Sequence, residues 1–279
     1  MRVLVVGATG VLGRQVVPRL VERGHSVRVV IRDAGRVPFF QKMGVETALG
    51  DILDAGSLEA AADGCEAALH LATAIPRRGG DWSLNDRIRG EGTRNLLAAA
   101  TENGIRRYVQ QSIAMLYGDT GQRIVSESAP LQPSPVIQSA ADMEELVRAS
   151  ALDWCILRGG LFYGPGTGRE EEWRQAAREG RFVYPEDGTD LLSQVHVIDM
   201  AHAVVLATEK AKAGSTYNIV DDEPVSYKRL YNFVAAQLGA PEPRGGGPRV
   251  LRSFACSNAK AKKELGWEPS FPTYLSGLA

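Results

Sequence analysis

The chain of 279 residues is 44% hydrophobic and carries a formal net charge of −1. That length and apolar content suit one large domain, or one domain with a smaller lobe. The balanced charge provides no basic surplus for nucleic acid or an anionic membrane, so neither partner is expected. No apolar run reaches the roughly 18 residues of a membrane span. The N-terminal apolar run leads straight into a glycine-rich turn, so no signal peptide is expected.

The three cysteines, Cys65, Cys155 and Cys256, lie far apart and form no spacing typical of a metal site. Their number is odd, which does not suit a disulfide framework. We therefore expect reduced thiols in a cytoplasmic protein that binds no metal.

The first predicted element is a strand over residues 3–6, which runs directly into three glycines spaced three apart. A β-branched apolar run of this kind is typical of a buried parallel strand. Gly7 permits a tight turn, Gly10 lets the backbone approach a pyrophosphate, and Gly13 lets the next helix pack on the strand. The pattern predicts a nucleotide site; the alternative is a glycine-rich turn without a ligand.

Helices and strands then alternate, which favours an α/β fold with a doubly wound parallel sheet. The predicted helices cover residues 11–23, 92–103 and 142–149, and the further strands cover 26–31, 45–49, 67–71, 107–111 and 154–157. Beyond residue 158 the elements are shorter and suit a lobe at the carboxyl edge of the sheet, where open α/β sheets bind ligands. These elements are predicted at 170–179, 198–210, 216–220, 227–238 and 257–267. Residues 241–248 contain three consecutive glycines and are predicted to form a mobile surface loop.

A series of short motifs recurs along nearly the whole chain, and their order and spacing together are specific. They are GATGVLG at 7–13, GDI at 50–52, HLA at 70–72, GTRNLL at 92–97, LYGD at 116–119, LRG at 157–159, YGPG at 163–166, HVIDMA at 196–201 and LGW at 265–267. With these motifs the chain resembles the extended short-chain dehydrogenase/reductases, the epimerase/dehydratase group.

This resemblance implies a Rossmann-type sheet that binds NAD or NADP, with a smaller C-terminal lobe closing over a small substrate. The dinucleotide-binding domain would comprise residues 1–160 with parts of 190–220, and the substrate lobe mainly 161–279. Asp51 would meet the adenine and Ile52 would pack on its ring, although Asp51 alternatively only caps the following turn. The expected cofactor contacts are Gly7, Thr9, Gly10, Val11, Leu12, Gly13, Arg32, Asp51, Ile52, Leu71, Ala72 and Thr73.

The end of the second strand bears on the choice of dinucleotide. An NAD site places a carboxylate there to accept from the ribose hydroxyls. Here Ile31 occupies that position, and Arg32 follows it. A guanidinium can fork onto a 2′-phosphate, which favours NADP over NAD. Arg32 alternatively is a solvated arginine paired with Asp33, or Asp33 turns inward to a ribose.

The proton-transfer residues of the resembled family are absent. The family uses a serine, a tyrosine and, four residues after the tyrosine, a lysine. Here Val136 and Ala140 stand at the tyrosine and lysine positions, and Ile113 stands at the serine position. No tyrosine lies between residues 118 and 162, and no lysine lies between 42 and 210, so a shifted alignment cannot restore the pair. Neither valine nor alanine transfers protons.

The remaining candidate proton donors are Ser112, Tyr117 and Tyr163, with loop packing as the alternative for Tyr117. Arg89 stands where the family carries an asparagine. Arg158 either binds an anionic substrate group or ties loops together, and His70 is interpreted as a core histidine with satisfied nitrogens. The candidate substrate-pocket residues are Trp82, Arg89, Ser112, Gln138, Arg158 and Tyr163.

Three functions fit these observations. The favoured one is an NADP-linked oxidoreductase or epimerase-like enzyme that acts on a small metabolite with a non-standard proton donor. The second is a catalytically silent protein that senses the dinucleotide or its redox state through a partner. The third is a scaffold, which the retained glycine turn disfavours. By analogy with the family, helices over residues 85–103 and 138–150 would pair two copies into a four-helix dimer interface.

Overall fold

A computed structural model of the chain describes residues 1–76, 80–249 and 251–278. The strands are β1 (Arg2–Val6), β2 (Ser26–Ile31), β3 (Glu46–Leu49), β4 (Ala67–His70), β5 (Arg107–Ile113), β6 (Asp153–Gly159), β7 (Leu161–Tyr163), β8 (Val183–Pro185), β9 (Leu191–Leu192), β10 (Gln194–His196), β11 (Ser215–Ile219), β12 (Val225–Ser226) and β13 (Arg244–Gly247). The helices are α1 (Gly13–Glu22), α2 (Val37–Gln41), α3 (Ala55–Ala62), α4 (Ser83–Arg87), α5 (Thr93–Glu102), α6 (Gln138–Arg148), α7 (Arg169–Arg178), α8 (Val197–Lys210), α9 (Tyr227–Gln237), α10 (Ala259–Leu265) and α11 (Tyr274–Gly277).

The chain forms two compact units. The first comprises Met1–Ile113, Pro133–Arg158 and Ala201–Tyr217, and the second comprises Ala114–Gln132, Gly159–Met200 and Asn218–Ala279. The chain therefore leaves and re-enters each unit more than once.

A seven-stranded sheet organises the first unit, in the order β11-β6-β5-β4-β1-β2-β3. The pairs β1–β2, β1–β4, β2–β3 and β4–β5 are parallel. Because β1 lies between β2 and β4, the strand order reverses beside it, and the loops after β1 and β4 open at the same edge. Ligands of open α/β sheets bind at such a reversal. The predicted α/β, Rossmann-type parallel sheet is confirmed.

Apolar side chains from both faces of this sheet build the core of the first unit. Leu4 and Val6 of β1 pack with Leu58 of α3 and Leu96 of α5, and all four are almost fully buried. In α1, Val16, Val17 and Leu20 face inward as the helical spacing predicts. Burial of each such side chain stabilises the fold by about 1.5–3 kcal/mol. This core holds the strands in place, and the strand ends set where the loops at the sheet edge begin.

The second unit is built from short strand pairs and helices rather than one large sheet. β7 pairs with β10, β9 with β12, and β8 with β13. An aromatic cluster forms one part of its core, with Phe182 stacked on Tyr231 at 3.8 Å between ring centroids. Trp173 of α7 belongs to the same cluster. Apolar side chains from several short elements therefore pack together in this part of the core.

One local prediction is wrong, and one helix begins earlier than its apolar pattern indicates. The glycine-rich stretch 241–248 is not a loop throughout, since Arg244–Gly247 forms β13 and pairs with β8 in parallel. Glycine allows this close approach, because a Cβ on Gly245 would lie 2.6 Å from the Glu186 carbonyl oxygen. The helix predicted over residues 142–149 begins four residues earlier, at Gln138.

The helices around residues 85–103 have one irregularity. α4 and α5 are joined by a π-helical turn over Ile88–Gly92, which inserts an extra residue into the helical path. Such turns re-aim side chains and occur frequently at functional sites. The sequence predicts only the regular part, because a π turn has no distinct periodicity.

Within the described residues, no helix is long and apolar enough to cross a bilayer. The same part of the chain contains no group of three or more His, Cys, Asp and Glu side chains that could hold a metal ion. All three cysteines are buried.

Candidate functional site

The turn between β1 and α1 uses its three glycines for different purposes. Gly7 has φ +97°, and a Cβ there would lie 2.5 Å from the Ala72 backbone nitrogen. A Cβ on Gly13 would overlap the Gly7 carbonyl oxygen. At Gly10 the nearest atom to an added Cβ is the Gly7 oxygen, at 3.3 Å. The fold therefore demands glycine at 7 and 13, whereas a Cβ at Gly10 would make one tight contact, with a backbone oxygen.

The N-terminus of α1 is electrostatically positive and uncapped. No side chain caps its first turn, and that turn contains no acidic residue. The N–H groups of Arg14, Gln15 and Val16 donate to backbone carbonyl oxygens, so it is mainly the helix dipole that favours a bound anion at this end. Arg14 adds a cation, since its Nε donates to the Thr9 carbonyl oxygen at 2.8 Å. Sequence reasoning missed Arg14; the signal was a basic residue directly after the third glycine.

The loop after β4 faces the glycine turn. Leu71 continues the strand pairing, since its N–H donates to the Val6 carbonyl oxygen at 2.8 Å. Ala72 and the exposed Thr73 follow at the same edge. Thr9 and Gly10 are exposed, and Leu12 is buried beneath the turn. The structure thus brings the predicted cofactor residues of two loops to one edge of the sheet.

A second part of this edge lies after β2 and β3. Arg32 is 72% exposed, and its Nη1 lies 3.7 Å from Asp51 Oδ2. Asp51 Oδ1 accepts from the Leu53 N–H at 2.9 Å, so Asp51 does cap its turn while its other oxygen faces Arg32. Asp33 accepts from the Gly35 N–H and pairs with Arg36, so it is neither the partner of Arg32 nor turned toward a ribose.

Ile52 is buried beside this loop. A Cβ on Gly92 would lie 2.9 Å from Ile52 Cγ1, so the π turn packs directly on this side chain. Asn95 of α5 donates to the Ile52 carbonyl oxygen at 3.0 Å. Both contacts hold the segment after β3 in place.

A buried network of ion pairs and hydrogen bonds connects α6 with β5 and β6. Glu144 of α6 is 1% exposed. Arg158 binds it with two hydrogen bonds, Nε to Oε1 at 2.9 Å and Nη2 to Oε2 at 2.6 Å. Arg148 donates to Oε2 at 2.8 Å, and Ser112 donates its hydroxyl to Oε1 at 2.7 Å. Sequence reasoning missed Glu144, whose buried carboxylate no local pattern marks.

This network corrects two candidate assignments. The Ser112 hydroxyl is buried and already donates to Glu144, so it does not present a proton to a substrate. The Arg158 guanidinium forms a bidentate pair with Glu144. Arg158 therefore connects parts of the first unit, and it does not bind an anionic group of the substrate.

Two candidate tyrosines belong to the second unit and are hydrogen-bonded there. Tyr117 donates to Asn218 Oδ1 at 2.7 Å. Tyr163 is fully buried and donates to Asp221 Oδ2 at 3.0 Å. Burial, followed by the charge of Asp221, raises the pKa of Tyr163 well above its usual range. Neither hydroxyl is therefore an available proton donor in this structure.

Neither residue at the expected tyrosine and lysine positions carries an acid–base group. Val136 is 56% exposed, and Ala140 is fully buried at the start of α6. Gln138 is exposed and donates to Asp142 at 2.8 Å. Trp82 is half-buried directly before α4.

Arg89 lies in the π turn and is only 5% exposed. Its Nη1 donates to Ser139 Oγ at 3.1 Å, and Ser139 donates to Asp86 Oδ1 at 2.6 Å. Burial lowers the pKa of Arg89, and the nearby Asp86 opposes this shift. In the described part of the chain, the other guanidinium donors meet no acceptor.

His70, at the end of β4, is in the core as predicted, and its ring lies close to the backbone of Ile88. Neither ring nitrogen makes a hydrogen bond of normal geometry with the described residues. Burial lowers the pKa of His70 to about 4, so the ring is neutral at physiological pH. Asn85 Nδ2 and Thr93 Oγ1 are also buried without partners.

These observations fit a dinucleotide at the edge formed by the loops after β1, β2, β3 and β4. The glycine turn offers an open backbone and a positive helix end for a pyrophosphate. Arg32 and Asp51 offer polar groups for the adenosine end. At Gly10 only the Gly7 oxygen restricts an added Cβ, and a closely approaching pyrophosphate is a further reason for glycine there.

Comparison with known proteins gives concordant results. The sequence model of a family described as NAD(P)H-binding matches residues 7–210. The chain is 36% identical to the 3-diazoavenalumate denitrifying reductase of a Streptomyces species, over 100% of this chain and 99% of that protein. It is 30% identical to the UDP-glucose 4-epimerase of Mycolicibacterium smegmatis, over 96% and 94% of the two chains.

A solved structure shows the same architecture. The dTDP-glucose 4,6-dehydratase of Streptomyces venezuelae, crystallised with NAD, superposes with a TM-score of 0.87 at 27% identity. The similarity covers 100% of this chain and 95% of that one.

Proposed function

Because the chain belongs to the NAD(P)H-binding extended short-chain dehydrogenase/reductases, whose members here include reductases, epimerases and dehydratases, we propose that it is a reductase that needs no protein proton donor. The observation that carries this proposal is that, among the described residues, each of the candidate proton donors is already hydrogen-bonded within the chain. Val136 and Ala140 stand at the tyrosine and lysine positions, and the hydroxyls of Ser112, Tyr117 and Tyr163 are all engaged elsewhere.

Reduction of a carbonyl adds a hydride to carbon and a proton to oxygen, so it requires an acid. Loss of dinitrogen from an aryl diazonium ion does not, since the cation takes up only a hydride. Bound NADPH would supply the hydride, the carbon–nitrogen bond breaks with its electron pair, and the diazonium carbon becomes C–H as dinitrogen leaves. The relative from Streptomyces is named for a diazo substrate and for loss of its nitrogen. We therefore propose a small anionic diazo compound as the substrate of this chain.

The proposed cofactor is NADPH rather than NADH. Arg32 is exposed at the end of β2, where a guanidinium can reach a 2′-phosphate. Ile31 is buried, and the Asp33 carboxylate is used within its own turn, so neither supports a ribose-binding acid at that position. The proposed contacts remain the glycine turn with Thr9, Val11 and Leu12, the loop residues Leu71, Ala72 and Thr73, and Arg32, Asp51 and Ile52.

The test is a paired assay with 4-carboxybenzenediazonium and 4-carboxybenzaldehyde. We expect the protein to convert the diazonium ion to benzoate with release of dinitrogen, and to leave the aldehyde unreduced. NADPH labelled with deuterium at its transferable position should place deuterium on the ring carbon that carried nitrogen. Reactions without protein measure the background reduction.

Two results would contradict the proposal. Reduction of the aldehyde with the diazonium at background rate would identify an ordinary carbonyl reductase with an unrecognised acid. Tight NADPH binding without turnover of either compound would favour the dinucleotide-sensing alternative.

A further inference from the structure

Four buried polar side chains of the first unit have few hydrogen-bond partners among the described residues, and we call them the Arg89 cluster. They are His70, Asn85, Arg89 and Thr93. Asn85, Arg89 and Thr93 follow one another at four-residue steps through α4, the π turn and α5, so they share a helix face. The Ala74 N–H, just after β4, donates to Asn85 Oδ1 at 3.0 Å, which ties that face to the loop after His70.

The unpaired atoms of this cluster are mainly donors. Asn85 Nδ2 is a donor, the guanidinium of Arg89 has only donors, and Thr93 and a neutral His70 can each supply one more. Buried polar groups in native proteins are almost always hydrogen-bonded, so a group of them without partners indicates a missing ligand or water. A donor-rich set with one fixed positive charge suits an oxyanion.

The charge on Arg89 is only partly balanced. Asp86 reaches it through the Ser139 hydroxyl rather than by direct contact. Arg158, by contrast, is neutralised by Glu144. Arg89 is therefore the buried arginine of the predicted pocket that retains capacity for an anion.

The side chains next to the cluster in the chain are apolar and exposed. Ile75 is 61% exposed, Leu84 is 43% exposed and Val136 is 56% exposed. Ile75 follows the Ala74 that binds Asn85, Leu84 precedes Asn85, and Val136 lies one turn before Ser139. Exposed apolar side chains that are close in sequence to a buried cationic cluster suit a ligand with an apolar body and an anionic end.

We propose that Arg89, held by Ser139, binds the anionic oxygen of the substrate and makes apolar carboxylates or phenolates the substrate class. Arginine stays protonated throughout, so it stabilises negative charge without transferring a proton. This role rests on the proposed reductase function, which leaves the substrate oxygen charged. It assigns Arg89 a specificity role at the position where the family carries an asparagine.

Binding to the NADP-saturated protein tests the role separately from turnover. The probes are benzoate and its neutral counterpart benzamide, measured by calorimetry. We expect the wild type to prefer benzoate by about 10- to 100-fold, the range of one or two charge-assisted hydrogen bonds. Arg89→Gln should abolish this preference, and Arg89→Lys should restore much of it.

Arg87→Gln is the matched control, since Arg87 lies in α4 and is 57% exposed in a pair with Glu91. It should leave the preference unchanged. Ser139→Ala keeps the charge but removes the contact that positions it, so it should reduce the preference while NADP binding stays intact. This variant also serves if Arg89→Gln does not fold.

The proposal is overturned if the wild type binds both probes equally or if Arg89→Gln keeps the benzoate preference. It is also overturned if Arg89→Gln weakens NADP itself and leaves the probe preference intact, since the cluster would then serve the cofactor. These outcomes are independent of dinitrogen release, so the failure of one proposal is distinguishable from the failure of the other.

Discussion

A single buried carboxylate, Glu144, decides the role of three neighbouring side chains. It accepts from Ser112, Arg148 and Arg158 and is itself 1% exposed. A buried charge is tolerated only when it is paired and hydrogen-bonded, and removal of one partner leaves the others uncompensated. Glu144 therefore makes Ser112 and Arg158 structural residues of the first unit.

Glu144→Gln should lower the free energy of unfolding by about 3–5 kcal/mol, because Arg158 is left buried without its counter-ion. Urea unfolding followed by circular dichroism measures this change. Glu145→Gln is the control, since Glu145 is the exposed neighbour in α6. Equal effects of the two substitutions would contradict the importance of the buried pair.

Arg32 is the residue on which the cofactor preference depends. Arg32→Ala should weaken NADPH binding about tenfold, the effect of one charge-assisted contact, and should change NADH binding far less. Fluorescence titration with both nucleotides measures the difference. Arg36→Ala, an exposed arginine paired with Asp33, is the control. A similar loss for both nucleotides would exclude a 2′-phosphate contact.

At the scale of elements, the turn from β1 to α1 combines a folding constraint with a binding constraint. A Cβ at Gly13 would overlap the backbone of the preceding turn, whereas a Cβ at Gly10 meets only the Gly7 oxygen at 3.3 Å. The two glycines therefore respond differently to the same substitution.

Gly10→Ala should fold with nearly the wild-type melting temperature but bind NADPH at least about tenfold more weakly, because its methyl group occupies the approach of the pyrophosphate. Gly13→Ala should instead be strongly destabilised, since helix and strand can no longer pack. Thermal melts and nucleotide titration of both variants provide the measurement. Unchanged affinity in a folded Gly10→Ala protein would argue against a pyrophosphate at this turn.

The outer faces of α5 and α6 are the proposed dimer elements. They border a shallow groove of about 370 Å³ whose lining includes Leu97, Ala98 and Leu146. A charge in a packed apolar interface is strongly unfavourable. Leu97→Asp should therefore convert a dimer to a monomer in sedimentation equilibrium, whereas Ile124→Asp, an exposed position outside these helices, should not. A wild-type monomer would refute the dimer.

At the scale of the whole molecule, two buried titratable groups give opposite pH dependences. Burial raises the pKa of Asp221 to about 7, so the folded protein retains a proton that the unfolded chain releases near its ordinary value of 3.8. Its effect is a loss of stability as pH rises from about 4 to about 7. Burial lowers the pKa of His70 to about 4, so its effect is a gain of stability from about pH 4 to 6.5.

Because these slopes oppose each other in the wild type, variants are needed to separate them. Asp221→Asn keeps an acceptor for Tyr163 but never ionises. Relative to wild type it should gain stability as pH rises, by about 4 kcal/mol at pH 8 for a shift of about three pKa units. Urea unfolding at pH 4.5 and pH 8 measures this. A pH-independent difference would mean that Asp221 is ionised in the folded state throughout.

The sequence alone determined the alternation of strands and helices and the glycine turn after β1, and it places valine and alanine at positions 136 and 140. Each of these features is local, because periodicity, spacing and residue type can be read from a short stretch of the sequence. The parallel direction of the strands was predicted from that alternation, whereas their order in the sheet comes from the structure. The family resemblance rested on the same local motifs, and comparison with known proteins confirms it.

Only the tertiary structure decided which polar side chains have partners. Ser112 and Glu144 are 32 residues apart, and Arg89 and Ser139 are 50 apart. Arg32 meets Asp51 rather than Asp33, and residues 244–247 form a strand because β8 lies beside them. Charge and hydrogen-bonding capacity can be read from residue type. Which distant group satisfies them depends on the packing of elements far apart in the chain, and no local pattern contains that information.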